Sequence, residues 1–244
     1  MKSIAVFSVK GGVGKNALAV NLAYASATQS ARRTLLWDLD AQGAATFTLK
    51  LAPKGGAAAR KLFAKDAELD AAIQPSAWPG LDLLAADGSL RGLEKQLATD
   101  DKAKRLRKLL KDLEGDYDRI ILDCPPGLSE LAEQLFRAVD LIVVPMIPSP
   151  LSVRAYDQLV AHLARHHAKG PAVVPVFSMV DRRRTLHRTL VDADPARALI
   201  PYASAVEGMS VHRSPIAAKA PGGAAARAFN GLWADIERRL VSQG

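Results

Sequence analysis

Short apolar segments alternate with longer amphipathic segments along the chain. The apolar segments have the length of strands and contain few polar positions, which is typical of strands buried on both faces of a parallel sheet. We predict strands at residues 4–7, 34–37, 81–84, 119–122, 141–145, 173–177 and 198–200. With helices between them, the expected fold class is α/β, a doubly wound and mostly parallel sheet covered on both faces by helices.

Two segments between these strands have a composition of their own. Residues 101–111 predict an amphipathic helix with a solvated basic face. Its apolar positions at helical spacing are Leu106, Leu109, Leu110 and Leu113, and its basic positions are Lys102, Lys104, Arg105, Arg107, Lys108 and Lys111. Residues 52–59 include Pro53-Lys54-Gly55-Gly56 and predict a mobile surface loop.

Length and composition favour one globular domain over residues 1–244, since 49% of the residues are hydrophobic. Cys124 is the only cysteine, which excludes an internal disulfide and cysteine clusters for zinc or iron–sulfur. The longest apolar stretch, 141–148, is too short to span a bilayer, and the first residues do not resemble a signal peptide. We therefore expect a cytoplasmic protein.

Charge leaves two interpretations open. The chain has 33 Lys and Arg against 25 Asp and Glu, a net charge of +8. This excess fits either an ordinary basic surface or a polyanionic partner such as nucleic acid or an anionic membrane face.

The strongest chemical signal is a glycine-rich loop between the first predicted strand and an Ala-rich helix at 16–27. It reads Val9-Lys10-Gly11-Gly12-Val13-Gly14-Lys15. Glycines allow consecutive backbone N–H groups to point at phosphate oxygens, and the start of the following helix adds positive potential. The pattern predicts a nucleotide-phosphate site that includes Gly11, Gly12, Val13, Gly14, Lys15, Asn16 and Ala17.

The loop departs from the usual P-loop string at Val9, where a glycine is expected, and at Asn16, where Ser or Thr is expected. With Lys10-Gly11-Gly12 it resembles the deviant Walker A loop of the ParA/MinD family instead. The resemblance implies an ATPase that uses ATP and Mg²⁺. It also implies that Lys10 reaches across a two-fold dimer to the partner's ATP, while Lys15 contacts the β- and γ-phosphates.

Two acidic motifs extend the resemblance. The segment Asp38-Leu39-Asp40-Ala41-Gln42-Gly43 is similar to the family's D-x-D-P-Q-G, with Ala41 in place of proline. Asp40 is then implied to position the attacking water, and Asp38 to support the metal shell, although the pair could instead cap a helix. Asp123 ends a Walker B-like strand and is followed by Cys124-Pro125-Pro126. The implied magnesium-site residues are thus Asn16, Asp38 and Asp123, with Cys124 a packing residue.

Weaker sequence matches indicate which residues contact adenine and which contact DNA. Ser178-Met179-Val180-Asp181 and Ile200-Pro201-Tyr202 resemble the adenine-side segments of the family, which implies contacts from Met179, Asp181, Pro201 and Tyr202. A ParA-type protein also binds DNA without sequence specificity through basic residues in its C-terminal third. The candidates here are Arg182, Arg183, Arg184, Arg188, Arg213 and Lys219.

The favoured hypothesis is a ParA-type ATPase that is a homodimer when ATP-bound, nucleoid-associated, and stimulated by a centromere-binding or adaptor protein. A MinD-like membrane ATPase would need a terminal anchor, and we interpret the stripe Phe229, Leu232, Trp233, Ile236 and Leu240 as core packing rather than as that anchor. Ligases with this fold normally lack the Lys10-type residue. Asn16 keeps open a scaffold that hydrolyses ATP slowly or not at all.

Overall fold

The computed structural model describes residues 1–52, 69–92 and 104–242, together with Phe63. The strands of these residues form one sheet in the order β3-β4-β2-β5-β1-β6-β7-β8. They are β1 Lys2–Val6, β2 Thr34–Asp38, β3 Ile73–Pro75, β4 Leu81–Leu84, β5 Arg119–Asp123, β6 Leu141–Met146, β7 Ala172–Val180 and β8 Ala198–Pro201. All neighbouring strands are parallel except β3 and β4, so the predicted α/β, doubly wound, mostly parallel sheet is confirmed.

Helices lie between the strands and also follow the last strand. They are α1 Lys15–Gln29, α2 Ala44–Thr48, α3 Leu69–Ala72, α4 Arg105–Asp112, α5 Glu130–Ala138, α6 Pro150–His166, α7 Thr185–Ala193, α8 Ser204–His212, α9 Ile216–Lys219 and α10 Ala224–Ser242, with a 3₁₀ turn at Gly88–Gly92. Within the described ranges, no helix is long and apolar enough to cross a bilayer.

Two apolar layers hold the helices against the sheet. Side chains of a strand alternate between its faces, so Ile4 and Val6 pack on one face of β1 while Ala5 and Phe7 pack on the other. The first layer is shared with α1 and α10, and the second with α4, α5 and α6. The stripe from Phe229 to Leu240 is buried in the first layer, which confirms its interpretation as core packing.

The predicted strands are all present, with bounds that differ by a few residues. The sequence missed β3, a three-residue edge strand that pairs antiparallel with β4 and ends in Pro75. The basic helix begins at Arg105, and its leucines at 106, 109, 110 and 113 are buried as expected. Residues 53–59 of the predicted surface loop and 101–103 of the predicted helix lie outside the described residues.

Strand register decides where the acidic motifs meet. Asp38 of β2 is paired with Asp123 of β5, and Asp123 is also paired with Val6 of β1. The ends of three adjacent parallel strands therefore lie together at the carboxyl edge of the sheet. This is the edge at which open α/β sheets bind ligands.

Candidate functional site

The loop after β1 has the curvature that its glycines predict. Gly12 and Gly14 have φ of +71° and +86°, backbone conformations that residues with a Cβ atom rarely adopt. A Cβ atom on Gly14 would also lie 2.9 Å from Oγ of Ser178. Both the positive φ and the close Ser178 side chain require glycine at position 14. The helix α1 begins at the next residue, and its free N–H groups face the loop.

Lys15 and two aspartates form the buried centre of the site. Lys15, Asp38 and Asp123 are 8%, 0% and 2% exposed. Burial and the neighbouring Asp38 and Asp40 carboxylates raise the pKa of Asp123 well above its usual value, while Lys15 acts in the opposite direction. Burial likewise raises the pKa of Asp38 to about 6. One buried ammonium thus faces several carboxylates, and a bound cation would neutralise the remaining negative charge.

Asp38 also fixes the segment that carries Asp40. Its Oδ2 accepts hydrogen bonds from N–H and Oγ1–H of Thr46, both at 2.8 Å, and its Oδ1 accepts from N–H of Asp40 at 3.2 Å. Oδ1 of Asp40 in turn accepts from N–H of Gln42 at 2.9 Å. Asp38 therefore holds the start of α2, as the helix-cap alternative expected, and it positions Asp40 through its backbone. The sequence did not identify Thr46 as a partner.

A cavity of about 180 Å³ lies beside the loop. Gly12, Gly14 and Ala17 line one side of it, and Met179, Pro201 and Tyr202 line the other. Met179 has a φ of +56°, an uncommon conformation for a residue with a side chain. The mostly apolar cavity opens next to the phosphate loop, so the structure brings together three of the four residues predicted to contact adenine.

Comparisons with known proteins agree with this geometry. A family model described as an AAA domain matches residues 1–170. The chromosome partitioning protein ParA of Caulobacter vibrioides is 32% identical over 199 residues, covering 76% of this chain and 72% of that protein. The sporulation initiation inhibitor protein Soj of Bacillus subtilis is 31% identical over 191 residues, covering 76% and 75%. The chain belongs to the ParA/MinD family of deviant Walker A ATPases.

A solved structure extends the likeness in fold. The septum site-determining protein MinD of Pyrococcus horikoshii OT3, in complex with Mg-ADP, matches 100% of this chain and 98% of that one. The TM-score is 0.82 at 21% identity. This ParA/MinD-family chain thus shares the MinD fold over its full length.

Asn16 is the position at which the loop departs from the deviant Walker A pattern, and it lies beside the carboxylates. Its Nδ2 atom is buried and has no hydrogen-bond partner of ordinary geometry among the described residues, although the amide lies close enough to Asp123 to lower the pKa of that carboxyl. A buried amide donor without a partner is costly. A bound phosphate or water would satisfy it, and the neighbouring carboxylates fit a hydrated Mg²⁺.

Asp181 lies apart from the adenine-side cavity. Its carboxylate accepts hydrogen bonds from Nε and Nη2 of Arg183 at 2.9 and 3.0 Å, and these bonds lower its pKa to about 2. It lines a neighbouring cavity with Arg184 and Tyr202. Asp181 is thus paired with Arg183 next to the adenine-side cavity rather than in it, and its adenine contact stays a prediction.

The predicted DNA-binding residues are exposed except for Arg213, which is bonded within the chain. Arg182, Arg183, Arg184 and Arg188 are exposed on the turn after β7 and the first turns of α7. Arg213 instead donates from Nε to the carbonyl of Phe47 at 2.8 Å and stacks 4.4 Å from its ring centroid. Lys219 is exposed at the end of α9. The arginine cluster of 182–188 is thus a surface feature, while Arg213 has an internal partner.

Cys124 is buried, and burial raises the pKa of its thiol well above the usual value. Only the thiolate is a good nucleophile. The structure therefore supports its interpretation as a packing residue.

Proposed function

We propose that this chain, as a single domain over residues 1–244, binds ATP with Mg²⁺, forms an ATP-dependent homodimer and binds DNA non-specifically to position DNA or another cytoplasmic cargo. The observation that carries the proposal is the pair of lysines on one loop. Lys15 is buried against the carboxylates, whereas Lys10 is half-buried.

The environment of Lys10 supports a role between two chains. Its N–H donates to Oγ of Ser8 at 3.3 Å, but no carboxylate in the described ranges forms an ion pair with its ammonium group. An ammonium group without such a partner is available to pair with phosphate charge from a second chain. A partner's ATP supplies that charge, and a two-fold interface uses both Lys10 residues at once.

The phosphates would lie over the loop amides, with Lys15 at the β- and γ-phosphates and the base between Ala17 and Met179. Asp123, Asn16 and Asp38 would hold Mg²⁺ and its water shell. When bound, Mg²⁺ neutralises charge on the β- and γ-oxygens. Asp40 lies on a turn fixed by Asp38, which supports a role for its carboxylate in orienting a water molecule.

Replacement of Asp40 by alanine is expected to leave ATP binding and dimerisation intact while hydrolysis falls. Loss of a positioning group for the attacking water costs about a hundredfold or more in rate. A phosphate-release assay measures the effect, with the exposed Asp157→Ala as the matched control. Unchanged turnover in the Asp40 variant would assign Asp40 to the turn alone.

DNA is proposed to bind at the exposed arginine cluster of 182–188. The cluster lies at the carboxyl edge of the sheet, beside the adenine-side cavity, so the nucleotide state can influence it. Such binding would place the protein on the nucleoid, where a centromere-binding or adaptor protein would stimulate its ATPase.

Arg188→Glu is expected to weaken ATP-dependent binding to all duplex sequences alike. Affinity should fall steeply with salt, because each neutralised phosphate contributes a slope of about −0.9 in log K against log salt. The slope should become shallower by about one unit or more in the variant. Arg165→Glu makes the same charge change on an exposed residue of α6 near the opposite edge of the sheet, and should have little effect. Salt-insensitive binding would contradict the proposal, and vesicle binding without DNA binding would favour a MinD-like function.

A further inference from the structure

Two histidines and a glutamate meet where the end of α6 packs beside α5. Nε2 of His162 lies 2.7 Å from Oε1 of Glu133, and Nε2 of His167 lies 2.9 Å from Oε2. One donor atom from each of the three residues falls within 4.8 Å of the others. α6 ends shortly before β7 begins, so this cluster lies at the amino edge of the sheet. The nucleotide loop lies at the opposite edge.

The three side chains are held in place by their surroundings. Both imidazole rings meet the ring of Phe136 edge-on, with centroids at 6.1 and 5.6 Å, and Phe136 is itself buried. The side chain of His167 is 5% exposed, and its N–H closes the end of α6 by donating to the carbonyl of Leu163 at 2.7 Å. Glu133 and His162 lie on helices and His167 is the residue that caps α6, so the three donors are preorganised by these contacts.

We propose that Glu133, His162 and His167 bind a divalent transition-metal ion, with Zn²⁺ as the species this donor set fits. Two imidazoles and one carboxylate, with solvent as the fourth ligand, match the composition of open zinc sites. Metal–donor distances of about 2.0–2.1 Å put tetrahedral donors about 3.3 Å apart. The two His–Glu contacts of 2.7 and 2.9 Å would open by about half an ångström, a movement within the reach of side-chain rotation.

Metal binding to the neutral imidazoles moves protons within the rings and releases none. An ionised carboxylate only accepts hydrogen bonds, so each neutral imidazole presents its Nε2–H to Glu133. Metal binding replaces the two N–H···O bonds with N–metal and O–metal bonds. The proton of each ring moves to Nδ1, the tautomer that leaves Nε2 free to ligate.

The neighbouring charges select among metals. Arg137 pairs with Oε2 of Glu133 at 3.5 Å and is about half exposed, so it can turn to solvent when a metal takes its place. A cavity of about 570 Å³ that includes His167 and Arg137 gives access to solvent, and Lys104, Arg107 and Lys169 also line it. With one carboxylate among basic groups, only a metal with high affinity for imidazole binds, which disfavours Mg²⁺ and Ca²⁺.

Calorimetry with zinc chloride and the nucleotide-free full chain tests the proposal. The expected result is one Zn²⁺ per chain, with a rise in melting temperature of about 5–10 °C at a zinc concentration 100 times Kd. His162→Gln and Glu133→Gln should weaken this binding at least a hundredfold, since loss of a ligand exceeds the about 10–100-fold cost of losing a ligand's support. The exposed His212→Gln is the matched control and should bind like the parent chain. Mg²⁺ and Ca²⁺ should not compete.

A second measurement does not depend on how the variants fold. The chain has five histidines, and nitrogen-15 NMR of their imidazoles should show zinc-dependent shifts at Nε2 of His162 and His167 but not of His187 or His212. Absence of zinc uptake by the parent chain would overturn the proposal. Equal affinity in His162→Gln and the parent, or shifts confined to other histidines, would also overturn it and leave the cluster as a hydrogen-bonded link between α5 and α6.

Discussion

Lys10→Ala is expected to bind ATP but to remain monomeric. Truncation of one partner of a buried, hydrogen-bonded charge pair costs about 2–5 kcal/mol, and a two-fold interface makes the contact twice. Dimerisation should therefore weaken by about a thousandfold or more. Lys15 and the loop amides are unchanged, so the affinity of the monomer for ATP should stay within a few-fold of the parent value.

Fluorescent-ATP titration and light scattering measure the two properties on the same samples. Lys111→Ala removes an exposed lysine of α4 and serves as the matched control, with dimerisation unchanged. Equal ATP-dependent dimerisation by Lys10→Ala and the control would mean that Lys10 does not contact the partner's nucleotide. Loss of ATP binding would place Lys10 in its own chain's site instead.

Asn16→Thr is expected to raise ATP turnover by about tenfold or more and to lower the Mg²⁺ concentration required. A threonine hydroxyl can bind Mg²⁺ directly, whereas the amide of Asn16 is longer and planar and would coordinate the ion less well. A tenfold gain corresponds to about 1.4 kcal/mol of barrier, a modest share of the charge stabilisation that the metal supplies. The parent chain should therefore hydrolyse ATP slowly and remain in its ATP-bound form.

Turnover across a Mg²⁺ titration checks this expectation. Asn16→Ala is the control, because it removes the amide without adding a hydroxyl and should not gain activity. If the threonine variant and the parent have the same turnover at every Mg²⁺ concentration, residue 16 is not a metal ligand in this protein.

Most of the sheet could be predicted because its strands are continuous apolar segments. A strand buried on both faces is apolar at nearly every position, which makes it easy to recognise. β3 could not, since its three residues pair only at the edge and include a proline that ends the strand. The phosphate loop could also be predicted from its glycines. The positive φ angles of Gly12 and Gly14, and the contact of Ser178 with Gly14, require the glycines that the motif contains.

Side-chain pairing was the part that the sequence did not reveal. Asp181 bonds to Arg183, Arg213 packs on Phe47, and Asp38 holds Thr46. Each choice depends on short-range geometry among several possible partners. Glu133 and the two histidines are 29 and 34 residues apart, and only the packing of α5 beside α6 brings them together. Their spacing matches no motif that a single sequence would single out.

ATP, bound by a loop with two lysines, is proposed to control association of the chain with a second copy of itself. Sedimentation velocity of the unaltered protein is the test, with Mg-ATP, with Mg-ADP and without nucleotide. We expect a dimer with ATP and a monomer in the other two conditions. The same sedimentation coefficient in all three conditions would contradict it.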